Sequence, residues 1–167
     1  MKRSLNVMRV FLAAAAAALV VTEAGIPTAN AAAGPETTRF SFEDNYVDTY
    51  TCTGTSLDTR LEGHVVVQAL SETRVQAHQR LLYTVTANGK TVTDNESFTN
   101  FTDLTSGVQT FAGTVVNIQV PGYGNVLADT GVLIVDFTTN PPTVLHVGGH
   151  HLVFDDGYGA LCEYLAS

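Results

Sequence analysis

Apolar and polar side chains alternate with a period of two along most of this chain, the signature of strands with one face buried. Over residues 60–70 the odd positions Leu61, Gly63, Val65, Val67 and Ala69 are small or apolar, and Arg60, Glu62, His64 and Gln68 fall between them. Over residues 74–85 Val75, Ala77, Leu81, Tyr83 and Val85 alternate with Arg74, Gln76, His78, Arg80 and Thr84. Joining the two runs through Ser71-Glu72-Thr73 sets Val67 opposite Ala77 and Ala69 opposite Val75. Both apolar faces then coincide, which predicts a hairpin. The same register places His64 opposite Arg80 and His78 opposite Val66.

Asn88-Gly89 is the strongest local turn signal, between residues 81–87 and 90–98. A two-residue turn pairs Val85 with Val92 and puts Asp94 and Glu96 on the face of Tyr83 and Val85; a three-residue turn sends them to the other face. Further strands are expected at 110–120, 126–137, 143–154 and 160–165, with an opening strand at 39–43 and a short one at 50–54. Gly- and Pro-containing breakers separate the later strands, among them Pro121-Gly122-Tyr123-Gly124 and Asp155-Asp156-Gly157-Tyr158-Gly159. Short strands joined by hairpin-length turns predict an all-β fold, an antiparallel meander of about eight strands. Closure into a small barrel would hide its edges and is the expected architecture, with a β-sandwich as the alternative.

The amino terminus follows a different pattern. Lys2, Arg3 and Arg9 precede an unbroken apolar run, Val10 to Val21, followed by Pro27 and the small residues Ala29, Asn30, Ala31, Ala32 and Ala33. This is the layout of a secretory signal peptide, with cleavage after Ala31 or Ala33. The run is shorter than the roughly 20 residues that span a bilayer. The expected organisation is a signal peptide over residues 1–33 and one secreted domain over 34–167, with no membrane anchor after cleavage. Removing the signal leaves five of the eight basic and fifteen of the sixteen acidic residues, so the net charge moves from −8 to −10. A surface this acidic disfavours nucleic acid and anionic lipid. The two cysteines, Cys52 and Cys162, lie near opposite ends of the mature domain, and in an oxidising compartment they are expected to form one disulfide.

Several segments carry a resemblance. They are Phe40-Ser-Phe-Glu-Asp with Tyr50-Thr-Cys52, the Thr-rich hairpin around Asn88-Gly-Lys90, Pro121 to Gly124 followed by Gly131-Val-Leu-Ile-Val-Asp-Phe137, and Leu161-Cys-x-x-Leu165. Together they resemble a group of uncharacterised small secreted proteins from actinobacteria. The resemblance implies a secreted, one-disulfide, β-barrel-like domain and brings no activity with it. The likeness to calycin and allene oxide cyclase barrels is one of architecture, which does not fix function.

Candidate chemistry rests on few side chains. His146, His150 and His151 fall within six residues, ahead of Asp155 and Asp156. On an extended strand, however, His146 and His150 share a face with Cα atoms about 13 Å apart, and His151 points the other way. One metal ion cannot bridge them unless Gly148-Gly149 bends the chain sharply, so no metal or cofactor is expected. Asp94 and Glu96, turned inward, would form an acidic pair whose burial and mutual repulsion raise at least one pKa, as general acid/base chemistry requires.

The leading expectation is a non-enzymatic extracellular domain binding a small apolar ligand or a protein partner. An isomerase- or cyclase-type enzyme and a structural cell-surface component are the rivals. An apolar cavity with converging Tyr, Asp or His side chains would favour the enzyme. A core filled by Val, Leu and Phe would remove both ligand-dependent readings.

Overall fold

The computed structural model describes residues 37–151 and 157–167. The expected signal peptide and the carboxylates Asp155 and Asp156 lie outside these residues. Seven strands run in chain order: β1 (Thr37–Asp48), β2 (Leu57–Ser71), β3 (Arg74–Ala87), β4 (Lys90–Asp103), β5 (Val108–Val120), β6 (Gly124–Asp136) and β7 (Thr143–His151). A short helix, α1 (Gly159–Ala166), ends the chain. Each strand pairs antiparallel with its neighbours in sequence, giving one sheet of order β1-β2-β3-β4-β5-β6-β7.

The alternation sets the register where it is strongest. Val67 pairs with Ala77 and Ala69 with Val75, and His64 lies opposite Arg80. The Asn88-Gly89 turn has two residues, both at positive φ (50° and 75°), so Val85 pairs with Val92 and Tyr83 with Asp94. A turn with left-handed φ at both central positions matches the twist of the strands it joins, and Asn and Gly tolerate that φ best.

The inward face of the sheet is deeply buried, with Phe98, Phe111, Leu133 and Val135 each at most 2% exposed. Among the described residues one eight-residue helix is the sole other element, too small to cover such a face. The sheet therefore curls so that its own inward side chains cover one another. Phe42 of β1 packs against a cluster that includes Leu81, Phe98 and Leu133. Its ring also lies over Gly63, directly opposite on β2, where any Cβ would collide with it.

The expected barrel does not close. No pairing joins β1 to β7 among the described residues, so the sheet keeps two edges, and a sandwich or open curled sheet describes it. The segment 160–165, read from sequence as the last strand, folds as α1 and adds no strand to the sheet. Leu161 and Leu165, four residues apart, share one helical face and are 5% and 0% exposed. Ala160, Glu163 and Ala166 are good helix formers. A short apolar run does not distinguish strand from helix by its pattern alone. The expected strand at 50–54 is likewise a bend, in which Asp48 Oδ1 accepts hydrogen bonds from the backbone N–H groups of Tyr50 (2.6 Å) and Thr51 (3.1 Å). This local carboxylate satisfies donors that a ladder would otherwise take.

Three contacts fix α1 over one end of the sheet. Cys52 and Cys162 form the expected disulfide, with Cα atoms 5.3 Å apart. Asn88 Nδ2 donates to the Leu165 carbonyl, and Lys90 Nζ donates to the Tyr164 carbonyl, both at 2.9 Å. A cation and an amide from the β3–β4 turn thus meet carbonyls that the helix leaves unpaired at its end. Leu161 and Leu165 complete a cluster with Leu57, Val92, Val116, Ile118 and Leu127.

The disulfide links residues 110 positions apart, a closure worth roughly 4 to 5 kcal/mol in the chain-entropy description. Replacing both cysteines by Ala is expected to lower unfolding free energy by about that amount, read from urea unfolding as a lower midpoint with a larger m-value, because the denatured chain without its crosslink is more expanded.

Candidate functional site

A partly open cavity of about 100 Å³ lies between α1 and the inward face of the sheet. Leu57, Val85, Val92, Ile118 and Leu161 form its apolar wall. Into the same space come Tyr46 from β1, Tyr83 from β3, Asp94 and Glu96 from β4, and Tyr158 from the residue preceding α1. The two-residue turn at Asn88-Gly89 is what aims the carboxylates. It fixes the parity of β4, so Asp94 faces Tyr83 and Glu96 faces Leu81 across the ladder. A slip of one residue would send both to the outer face.

Desolvation dominates the electrostatics of this cavity. Burial pushes the Asp94 carboxyl up to about 7, against the lowering effect of the hydrogen bond that Asp94 Oδ1 accepts from the Asn117 backbone N–H at 2.6 Å; Asp129 adds to the rise. Glu96, 8% exposed, is held well above the usual carboxylate range by burial and then by Asp94. Burial also lifts the phenols. Tyr46 is pushed up to about 12, with Asp48 and Glu96 contributing after burial. Tyr83 and Tyr158 are raised well above their ordinary value, again chiefly by burial, with Glu96 next for Tyr83 and Asp94 next for Tyr158. The cavity therefore holds Asp94, poised near neutral pH to gain or lose a proton, beside a second carboxyl and three phenols that burial shifts toward their protonated forms.

The histidines are divided by strand parity. His146 pairs with Ile134 and His150 with Thr130, and both are exposed on the outer side of the edge strand β7. His151 faces inward opposite Asp129, with 3.6 Å between His151 Nδ1 and Asp129 Oδ2, and both side chains are almost fully buried. Gly131, which faces Gly149 across the ladder, makes the room for it. A Cβ at Gly131 would come within 2.8 Å of His151 Nε2, which lies 3.1 Å from the Gly148 carbonyl. Among the described residues no group of three or more His, Cys, Asp or Glu side chains is arranged to hold a metal ion. His64 and His78 sit on the outer face, bonded to Ser41 Oγ at 2.7 Å and Thr99 Oγ1 at 3.3 Å.

Of the residues singled out from sequence, Asp94 and Glu96 come together in the cavity, whereas the histidine triplet is split between two faces. Tyr46 and Tyr158 were not among the candidates. Tyr46 lies four residues beyond Phe42 on the same side of the mostly exposed strand β1 and is itself 36% exposed, so parity was the sole signal for it. Tyr158 stands in a segment that reads as a turn, and nothing in its neighbours marks it.

No protein-family model, curated protein or solved structure matches this chain. Its class is defined by its own architecture: an all-β antiparallel meander with one disulfide and a terminal helix. The disulfide fits an oxidising, extracellular setting. Among the described residues no helix is long and apolar enough to cross a membrane.

Raised carboxyl pKa values couple folding to pH. Between the ordinary carboxylate range and about pH 7, the folded chain holds protons at Asp94 and Glu96 that the unfolded chain has released. This contribution to stability is complete at the acid end of that window and is lost as pH rises through neutrality. Urea unfolding from about pH 5 to about pH 8 is expected to show falling stability. Asp94→Asn is expected to flatten the slope, because an amide has no proton to lose.

Proposed function

We propose that this protein transfers a proton on a small, largely apolar ligand bearing a carbonyl or similar polarisable group, as an enzyme of isomerase or cyclase type. The observation that carries this reading is the convergence of Asp94, Glu96, Tyr83 and Tyr158 on a cavity whose other wall is aliphatic. A general base works best when its pKa lies near the operating pH, and Asp94, at about 7, meets that condition. Asp94 Oδ1 is held by the Asn117 N–H, which leaves Oδ2 to take a proton from a carbon next to the carbonyl. Glu96 and the tyrosines, kept protonated by burial, supply O–H donors where negative charge develops on the ligand oxygen. The size of the cavity limits the ligand. A dry cavity of ~150 Å³ accepts a benzene ring, so this somewhat smaller one suits a small ring or one end of a longer molecule.

The signal-like pattern over residues 1–33 and the disulfide support a protein that acts after export. The resemblance to small secreted actinobacterial domains agrees with that setting. A second reading, a carrier that binds an apolar ligand without chemistry, is favoured by the aliphatic wall of Leu57, Val92, Ile118 and Leu161.

Deuterium exchange at the α-carbons of small cyclic and aryl ketones, followed by proton NMR in heavy water, separates the two readings. The wild-type protein is expected to accelerate exchange for at least one ketone, and Asp94→Asn to cut that rate by about 100-fold or more, the contribution typical of a general base. Binding without exchange would leave the carrier reading. Exchange indifferent to Asp94→Asn would remove Asp94 as the base.

A further inference from the structure

The ladder between β4 and β5 breaks beside the cavity. Asp94 pairs with Ile118 and the next pair is Ser97 with Thr114, so Asn95 and Glu96 face three residues, Val115, Val116 and Asn117. A bulge of this kind bends the strand and interrupts the row of hydrogen bonds. Here the Asp94 carboxylate replaces one missing ladder partner by accepting from the Asn117 N–H. On the outer side of the break lies a groove of about 540 Å³, lined by outer-face residues that include His64, Arg80, Ser97 and Thr114. Two inward-facing residues, Leu81 and Glu96, also line this groove. Glu96 thus borders both the inner cavity and the outer groove, although it is only 8% exposed.

We propose that the break between β4 and β5 is a passage for water, through which the Glu96 carboxyl exchanges its proton with solvent in the outer groove while a ligand occupies the inner cavity. The second part rests on the proton-transfer reading given above. When the Glu96 O–H bond breaks and the proton passes to the ligand, the carboxylate left behind takes a proton from a groove water. The hydroxide so formed is protonated by bulk buffer acid, which restores Glu96 without the ligand leaving, and Asp94 passes the proton it took from the ligand carbon to buffer base when the product departs. The groove suits this role because it is polar and wide enough to hold water with several partners. Two of its side chains are engaged by residues outside it: Glu62 by Arg60 at 2.7 Å, and His64 by the Ser41 hydroxyl at 2.7 Å. Arg80 stands on the same outer face.

The rate at which the Glu96 carboxyl exchanges hydrogen for deuterium tests the passage. Infrared spectroscopy on protein carrying carbon-13 in its glutamates reads that rate, with the Glu96 band assigned by its loss in Glu96→Gln. Ser97→Trp and Thr114→Phe, which fill the outer groove, are each expected to slow deuteration several-fold, while Tyr46→Trp, which crowds the inner cavity, leaves it unchanged. Two groove variants are used so that a folding defect in one, seen by circular dichroism, leaves the other to decide. Slowing by Tyr46→Trp alone, or by none of the three, would overturn the passage. The measurement is made at whatever pH shows the protonated band. Its absence at neutral pH would count against the proton-transfer reading, and the exchange rates at lower pH would still judge the passage.

Discussion

The inward face of a single curled sheet has to exclude water with almost nothing but itself. A sheet that buries one face normally does so against a second layer, and here the described residues supply only α1 for that purpose. The strands therefore curl until residues such as Phe98, Phe111 and Leu133 cover one another. Every polar side chain on the inward parity is carried into the same interior, whatever its chemistry. Asp94, Glu96, Asn100 and Asp129 are all inside for that one reason.

At the end covered by α1 this constraint produces the candidate site. The helix closes the curl with Leu161 and Leu165 but does not fill it. Space remains where the strands carry acids and phenols rather than Val or Leu. Solvation lost by these groups is only partly replaced, as at Asp94, where one backbone N–H offsets some of the cost. The protonation state of the interior follows from that imbalance. The tyrosines and Glu96 are shifted toward their protonated forms, and Asp94 is left near the point of balance at neutral pH.

Much of the sheet was legible in the sequence because two signals agreed there. Period-two alternation over residues 60–85 and the Asn88-Gly89 turn together determine which side chains meet across β2, β3 and β4. Once the two-residue turn is taken, the inward placement of Asp94 and Glu96 follows by counting. The closing helix was not legible, because Leu161 and Leu165 in a run of six residues fit a strand as well as a single helical turn. Barrel closure was expected because it would hide the edges of the meander, yet no pairing joins β1 to β7 among the described residues. The cavity itself was illegible for another reason. It needs Tyr46, Tyr83 and Tyr158 from three distant segments, and their convergence depends on how tightly the sheet curls, which no local pattern encodes.

The strictly sequential order of the strands has a kinetic consequence. Every hairpin forms between neighbours in the chain, so contact order is low for an all-β protein and pairing can proceed by stepwise addition. The disulfide is the exception, since Cys52 must wait for the last element of the chain to bring Cys162. In the folded chain the disulfide spans 110 residues that no hairpin bridges, so a sheet built wholly from local pairings has its first loop tied to its last element by one covalent bond.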